Sequence, residues 1–507
     1  MGVLITVLYL LAPAVLAFYL YVRRKYNYWA DRNIPHVPGA FPMGSFNGMG
    51  SKIHFTEILD QAYKKFQKTG SSHAASGMYL GLNPMLLIHD LDLVKQILVK
   101  DFNNFRDRGM YFNEKDDPLS AHLFSIEGEK WRFLRNKLSP TFTSGKMKYM
   151  FLTIRDIGDE FLHCFDKYIE HKQPADVKAL AQRFTCDVIG SCAFGLQCNS
   201  LKNEGSELMT IGDKVFKPGL LRTIWVFLLM SFREWSVKLG LKQIPGDVTD
   251  YFMGVVRNTV DNREKNNVIR QDFLQLLMQL KNKGTVEDNE EASNETISMN
   301  DVAAQAFLFF FAGFETSSTA LSFALFELAS NERVQEKLRD EIKRVLEAHN
   351  NQITYEAIKE MTYMDQVVNE TLRMFPPVGN LIRIANEPYQ LTSPNVTVEK
   401  GQMVMVSVHS IHHDPAIYED PERFDPDRFA PERVKARHSH CFLPFGDGPR
   451  NCIGMRFGLL EVKFGLAQLI GQLRFTVNER TKVPLELDPR SSLLEVKDGI
   501  WLDVCRL

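Results

Sequence analysis

This chain has no surplus of positive charge: 60 Lys and Arg stand against 62 Asp and Glu, a formal net charge of -2 over 507 residues. A protein that holds a phosphate backbone carries a basic excess, so nucleic acid is not an expected partner. A disulfide framework is also missing. The seven cysteines, Cys164, Cys186, Cys192, Cys198, Cys441, Cys452 and Cys505, are odd in number and irregular in spacing. Cys186, Cys192 and Cys198 recur at six-residue intervals, but no histidine or carboxylate pattern accompanies them. They read as buried thiols rather than a metal site. Internal repeats are absent, and the one sustained polar run, Lys281 to Glu295, reads as an exposed loop between helices. With 45% apolar residues and no dividing linker, the chain is expected to form one large body rather than several.

What is present begins at the N-terminus. Met1 to Val22 carries no charge, and Arg23, Arg24 and Lys25 follow at once. As a helix this stretch would reach about 33 Å, enough for a hydrocarbon core of about 30 Å. The basic residues behind it place the rest of the chain in the cytosol. Residues 1–22 are therefore expected to be a membrane anchor, residues 23–44 a basic and proline-rich linker, and residues 45–507 the catalytic body. A shorter apolar stretch, Leu220 to Phe232, is either a core helix or a segment that dips into the bilayer.

Helical patterns dominate after residue 50, with strand-like alternation at Gln402 to Val408 and short β-prone runs at Gly77 to Tyr79 and Leu86 to Ile88. The expected class is mainly α with small β-sheets. One helix, capped by Asn300, should run to Ser330 through the middle of the body, because apolar residues cover nearly all its sides. At its centre Ala312 and Gly313 strip side chains from one face, so that something flat and bulky can approach. Glu315 and Thr316 follow. A helical threonine can simply bond the carbonyl one turn back, but a carboxylate among Phe309, Phe310, Phe311 and Phe314 needs a partner or a function. An acid beside an alcohol suits a proton relay.

Near the C-terminal end, Cys452 lies in FLPFGDGPRNCIGMRFG, where glycines leave little bulk around the sulfur. The helical pattern that follows would aim amides at it and favour a thiolate. With Cys441 eleven residues away, a zinc knuckle is excluded. Two readings stay open: an axial thiolate on haem iron, or a nucleophile served by His409, His412, His413 or His440.

Taken together, these segments resemble the cytochrome P450 monooxygenases along essentially the whole chain. Residues 445 to 454, F-G-D-G-P-R-N-C-I-G, match the family's F-x-x-G-x-R-x-C-x-G pattern, and Glu370 to Arg373 match its E-x-x-R. Ala312 to Ser317 resemble its oxygen-activation motif, and Trp131 to Arg135 its W-x-x-x-R. The resemblance implies a P450 fold with a single large haem-binding domain and haem b as cofactor. It implies Cys452 as the iron ligand, with Phe445 near the sulfur and Gly454 among the cofactor-binding residues. Trp131, Arg135, Arg383, Arg450 and His440 would engage the haem propionates, and Ala312 and Gly313 would face the ring. Glu315 and Thr316 would deliver protons during oxygen activation, while Glu370, Arg373 and Arg423 would lock the core.

The likeness is to microsomal, insect, xenobiotic-metabolising enzymes. It implies an NADPH-cytochrome P450 reductase as partner, cytochrome b5 as a further one, and the endoplasmic reticulum membrane as location. Lys130, Arg132, Lys137, Arg456 and Lys463 are candidates for the reductase-facing side. Cavity walls are expected from Met110 to Phe124, Lys214 to Leu221, Phe307 to Phe311, Val378 to Leu381 and Leu493 to Val496, all suited to lipophilic substrates. Oxidation of an endogenous hormone, terpenoid or fatty acid is the alternative role; a haem-thiolate isomerase and a haem sensor are the others.

Overall fold

The computed structural model describes residues 2–67, 73–203, 205–216, 219–285, 295–393 and 395–507. The polar run at 281–295 falls largely outside them, as do Lys217 and Pro218 of the expected cavity wall. The body is mainly helical with small sheets, as the periodicity predicts. The three β-prone stretches meet in one four-stranded sheet, ordered Ala75–Leu80, Asn83–Ile88, Met403–Ser407, Asn380–Ile384. Its middle pair is parallel and its outer pairs are antiparallel. This register sets Arg383 opposite Val404, and one face buries Leu86, Ile88, Val404 and Val406.

The proline-rich segment after the N-terminal helix Gly2–Tyr26 lies along the first strand, with Val37 N–H donating to Gly77 O at 2.9 Å. Gly77 leaves the space that the Trp29 ring fills. Phe18 and Phe41 meet edge-on at 5.2 Å. The helix Leu220–Ser231 buries Phe227 and Leu229 but leaves Leu221 (84%), Ile224, Trp225 and Leu228 exposed. The core reading of this stretch holds for one face only.

A 32-residue helix, Met299–Ser330, runs through the body. Its cap is Ser298 rather than Asn300: the Ser298 hydroxyl accepts from Asp301 N, and the Asp301 carboxylate accepts from Ser298 N. That reciprocal box satisfies two otherwise orphaned N–H groups, which Asn300, inside the helix, cannot do. Although long and apolar enough to cross a membrane, this helix is 78% buried over its apolar window. It is the spine of the core.

Candidate active site

The Cys452 loop is shaped by backbone that only glycine adopts easily. Gly446 and Gly448 have φ of 67° and 69°, and a Cβ on Gly448 would strike the Leu98 carbonyl. Cys452 N–H donates to Phe445 O at 2.9 Å, closing the loop just before the helix Met455–Ile470. Burial pushes the Cys452 thiol up, opposed by the Gly454 N–H, Arg135 and Arg108. The residue nevertheless keeps accessible surface. Both facts fit a sulfur on the wall of an internal cavity.

The opposite wall is on the long helix. Where its neighbours are buried, Phe311, Ala312, Gly313 and Thr316 retain surface. Gly458 lies over Ser317, and Gly465 packs on Leu321. These close approaches bring the Cys452 end of one helix alongside the Ala312 to Thr316 part of the other.

Around the sulfur gather four arginines, and among the described residues only Arg450 is paired with a carboxylate, Asp107. Arg135 donates to Asn451 O (2.9 Å) and Asn451 Oδ1 (2.7 Å). Arg108 donates to the carbonyls of Phe124 and Arg450. Arg383 donates to its neighbour's carbonyl, and its buried Nε has no partner. Arg450 lies 4.0 Å over the Trp131 ring and donates to the carbonyls of Arg106, Leu123 and Ile126, with Asp107 at 3.4 Å. Burial, then repulsion from Arg383, Arg450 and Arg135, holds Arg108 well below the usual arginine range. Burial likewise brings Arg383 down to about 10 and Arg450 down to about 9. Clustered buried cations are costly unless anions join them, and guanidinium forks suit carboxylates. The cluster therefore fits a cofactor with two carboxylates facing a thiolate.

Several expectations need correction. A Cβ on Gly313 would sit 2.8 Å from Ile189 Cδ1, so this glycine lets the helix Val177–Ile189 approach; of the two, Ala312 is the more exposed. Glu315 turns the same way, into a buried ion pair with Lys178 at 2.5 Å and a hydrogen bond from Gln182 at 2.9 Å. Lys178 also donates to Ser318 and Thr319. Acid and alcohol are adjacent in sequence but leave the helix in different directions. Thr316 donates to Ala312 O at 2.5 Å.

His440 is not brought to the arginines; it lies 3.0 Å from Asp447 and pairs with Ser439. His412 binds Arg373 O and Leu443 N, and His413 binds His409 O. No histidine is bonded to Cys452 among the described residues, so the nucleophile reading lacks its base.

The core lock also uses a different arginine. Arg373 grips both oxygens of Glu370 at 2.7 and 2.9 Å, and the second cation at Glu370 is Arg428, at 3.4 Å. Arg423 is exposed and offers only its carbonyl. PERF and PDRF stand five residues apart; the first meets Arg373 through the Pro421 and Arg423 carbonyls, while the second buries its arginine, Arg428, beside Glu370. Sequence reasoning also missed Arg108, Lys178 and Gln182. The last two fall i and i+4 on a helix face that is otherwise apolar, which is the signal that could have found them.

A haem-thiolate class is what this arrangement of sulfur, cation ring and stripped helix face defines. A family model described as Cytochrome P450 matches residues 38–502. The chain is 44% identical to Cytochrome P450 6A1 of Musca domestica, over 97% of this chain and 96% of that one. It is 42% identical to Cytochrome P450 6a2 of Drosophila melanogaster, over 98% of this chain and 99% of that one. The chain belongs to the cytochrome P450 family, the haem-iron monooxygenases, and its relatives here are insect proteins.

Proposed function

We propose that this protein is a membrane-anchored monooxygenase of lipophilic small molecules, chiefly xenobiotics, fed with electrons from NADPH through a cytochrome P450 reductase. Haem b would be held by Cys452 at the iron and by Arg108, Arg135 and Arg383 at the propionates, with Arg450 and Trp131 behind them. The carboxylate-poor arginine ring around Cys452 is the observation that carries this reading. When bound, the haem supplies dioxygen activation and insertion of one oxygen atom into a C–H or C=C bond.

The chain's own residues supply the rest. Because the Thr316 proton is engaged by Ala312 O, its oxygen lone pairs are left to accept a hydrogen bond within the cavity. Thr316 is thus the catalytic residue, and Glu315, held by Lys178 and Gln182, positions the helix that carries it. The substrate side is aromatic: Phe216 stacks on Phe311 at 4.4 Å, and His122 faces Phe307 at 6.2 Å. Burial takes His122 down to about 4, so it is neutral and adds no charge. Leu494 N–H, in one expected wall segment, donates to Pro377 O at 3.0 Å, just before another, Val378 to Leu381. Such a wall selects by shape and apolar area.

Localisation at the endoplasmic reticulum rests on reading the uncharged stretch 1–22 as an anchor, together with Leu221, Phe232, Trp235 and Leu239, each more than half exposed and suited to an interfacial position. On the electron-donor side Lys463 is tied to Asp365 and Lys130 to Glu114 and Asp301. Arg132 is paired with Glu129 at 3.6 Å, which leaves Lys137 and Arg456 as the docking candidates. The reduced, carbon monoxide-treated protein should show the strongly red-shifted Soret band of thiolate ligation. A histidine-type band in native protein would sink the Cys452 assignment. Product formation from lipophilic substrates with NADPH and reductase tests the rest; turnover without reductase or NADPH would favour the isomerase reading.

A further inference from the structure

Away from the active site, two thiols meet at the root of a helix that forms part of the cavity. Cys186 is buried on the helix Val177–Ile189, and Cys198 lies in the segment leading to the helix Glu207–Phe216. Gly190 is four residues beyond Cys186, on the same helical face. A Cβ there would collide with Cys198 Sγ, so the missing side chain is what seats the second sulfur. That seat brings Cys198 beside the Cys186 thiol, and this neighbour is the first cause that pushes Cys186 up. Ser200 Oγ donates to Cys186 Sγ at 3.4 Å and lies 2.8 Å from Ser206 Oγ, which accepts from Met209 N in the first turn of the Glu207–Phe216 helix. The far end of that helix places Gly212 against Phe310 and Phe314, and Phe216 against Phe311.

We propose that Cys186 and Cys198 are a dithiol that hydrogen peroxide converts to a disulfide, tethering the Glu207–Phe216 helix at its root. Cys198, the partly exposed thiol, is the one peroxide reaches. Its sulfur attacks one peroxide oxygen, the O–O bond breaks, and the departing hydroxide takes up a proton as water, leaving a sulfenic acid. Cys186 Sγ then attacks that sulfur, the S–O bond breaks, and a second water leaves with the Cys186 proton. Two thiols are oxidised by two electrons, and one peroxide is reduced to two waters. The neighbouring Cys198 and then burial push the Cys186 thiol up, which suits the resolving rather than the attacking role. Peroxide is also what a monooxygenase releases when reduction outruns product formation, so the tether would respond to uncoupled turnover.

The test uses the full-length holoprotein, treated with hydrogen peroxide, alkylated without reductant and mapped by peptide mass spectrometry. Two thiols should be lost per chain, with one cross-linked peptide pair containing Cys186 and Cys198 that dithiothreitol separates. C198S should give no cross-link and leave Cys186 alkylatable after unfolding; C186S, should C198S fold poorly, should stop at oxidised Cys198. Amide exchange across residues 207–216 should slow in the oxidised wild type. Both thiols surviving, Cys198 ending as a sulfinic acid, or Cys198 cross-linked to Cys164 instead would overturn the pairing. Unchanged exchange in a cross-linked protein would overturn the tether.

Discussion

Thr316 and Arg428 show what single side chains decide here. The Thr316 hydroxyl is the polar group that the long helix turns toward the cavity beside Ala312, and its bond to the Ala312 carbonyl fixes the direction of its lone pairs. Thr316→Ala should keep haem and the red-shifted carbon monoxide band while product per NADPH falls and peroxide rises. Unchanged coupling would count against its role. Arg428 is a different case, because Glu370 and Arg373 are wholly buried. Removing a partner from a buried ionic cluster costs about 3–5 kcal/mol, so Arg428→Ala should lower haem retention and stability. Arg423→Ala, at an exposed position, should stay within about 0.5 kcal/mol of wild type. Urea titration of both variants separates them. The sequence could not make this choice, since both arginines sit in near-identical P-x-R-F contexts and only packing tells them apart.

At the scale of elements, the junction between the helices Val177–Ile189 and Met299–Ser330 holds the oxygen-side face in place. Gly313 admits Ile189, Thr185 Oγ1 donates to Phe314 O at 2.8 Å, and the Lys178–Glu315 pair closes the contact. The long helix was legible because its apolar periodicity and length leave no alternative to a core position. The role of its glycine and its acid was not legible. Both depend on a second helix more than a hundred residues earlier, and a local motif does not reveal which face meets it. Glu315→Leu alone strands the Lys178 ammonium and should cost about 3–5 kcal/mol, whereas the double variant Lys178→Met/Glu315→Leu should recover most of that loss. Thermal and urea unfolding of the two singles and the double measure the coupling. Strict additivity of the two losses would mean that the ion pair does not join the helices.

For the molecule as a whole, buried titratable groups set opposing limits on stability. Burial takes His89 and His412 down to about 3 and His409 well below the ordinary 6.5. A histidine with a depressed folded pKa stabilises the protein above pH 6.5, and that stabilisation is lost as pH falls from there. Glu461, buried beside Ser317, is raised by desolvation to about 8. Glu327 is raised to about 7 by burial and by Glu370, against the pull of Arg373. A carboxyl raised in the folded state is most stabilising below its ordinary 4.5, and it loses that contribution as pH climbs through the folded value. Each group contributes a slope of about 1.4 kcal/mol per pH unit between its two pKa values. Below 6.5 these three histidines and His122, lowered to about 4, outweigh the two carboxyls, so stability rises with pH; above 6.5 the two carboxyls pull it down. Urea unfolding across pH 5 to 8.5 should therefore peak near pH 6.5, with the alkaline fall ending at about pH 8. Glu461→Gln keeps the shape without the titration and should flatten most of that fall. A wild-type stability that kept rising between pH 6.5 and 8 would mean that Glu461 is already ionised in the folded protein, with a partner able to hold its charge.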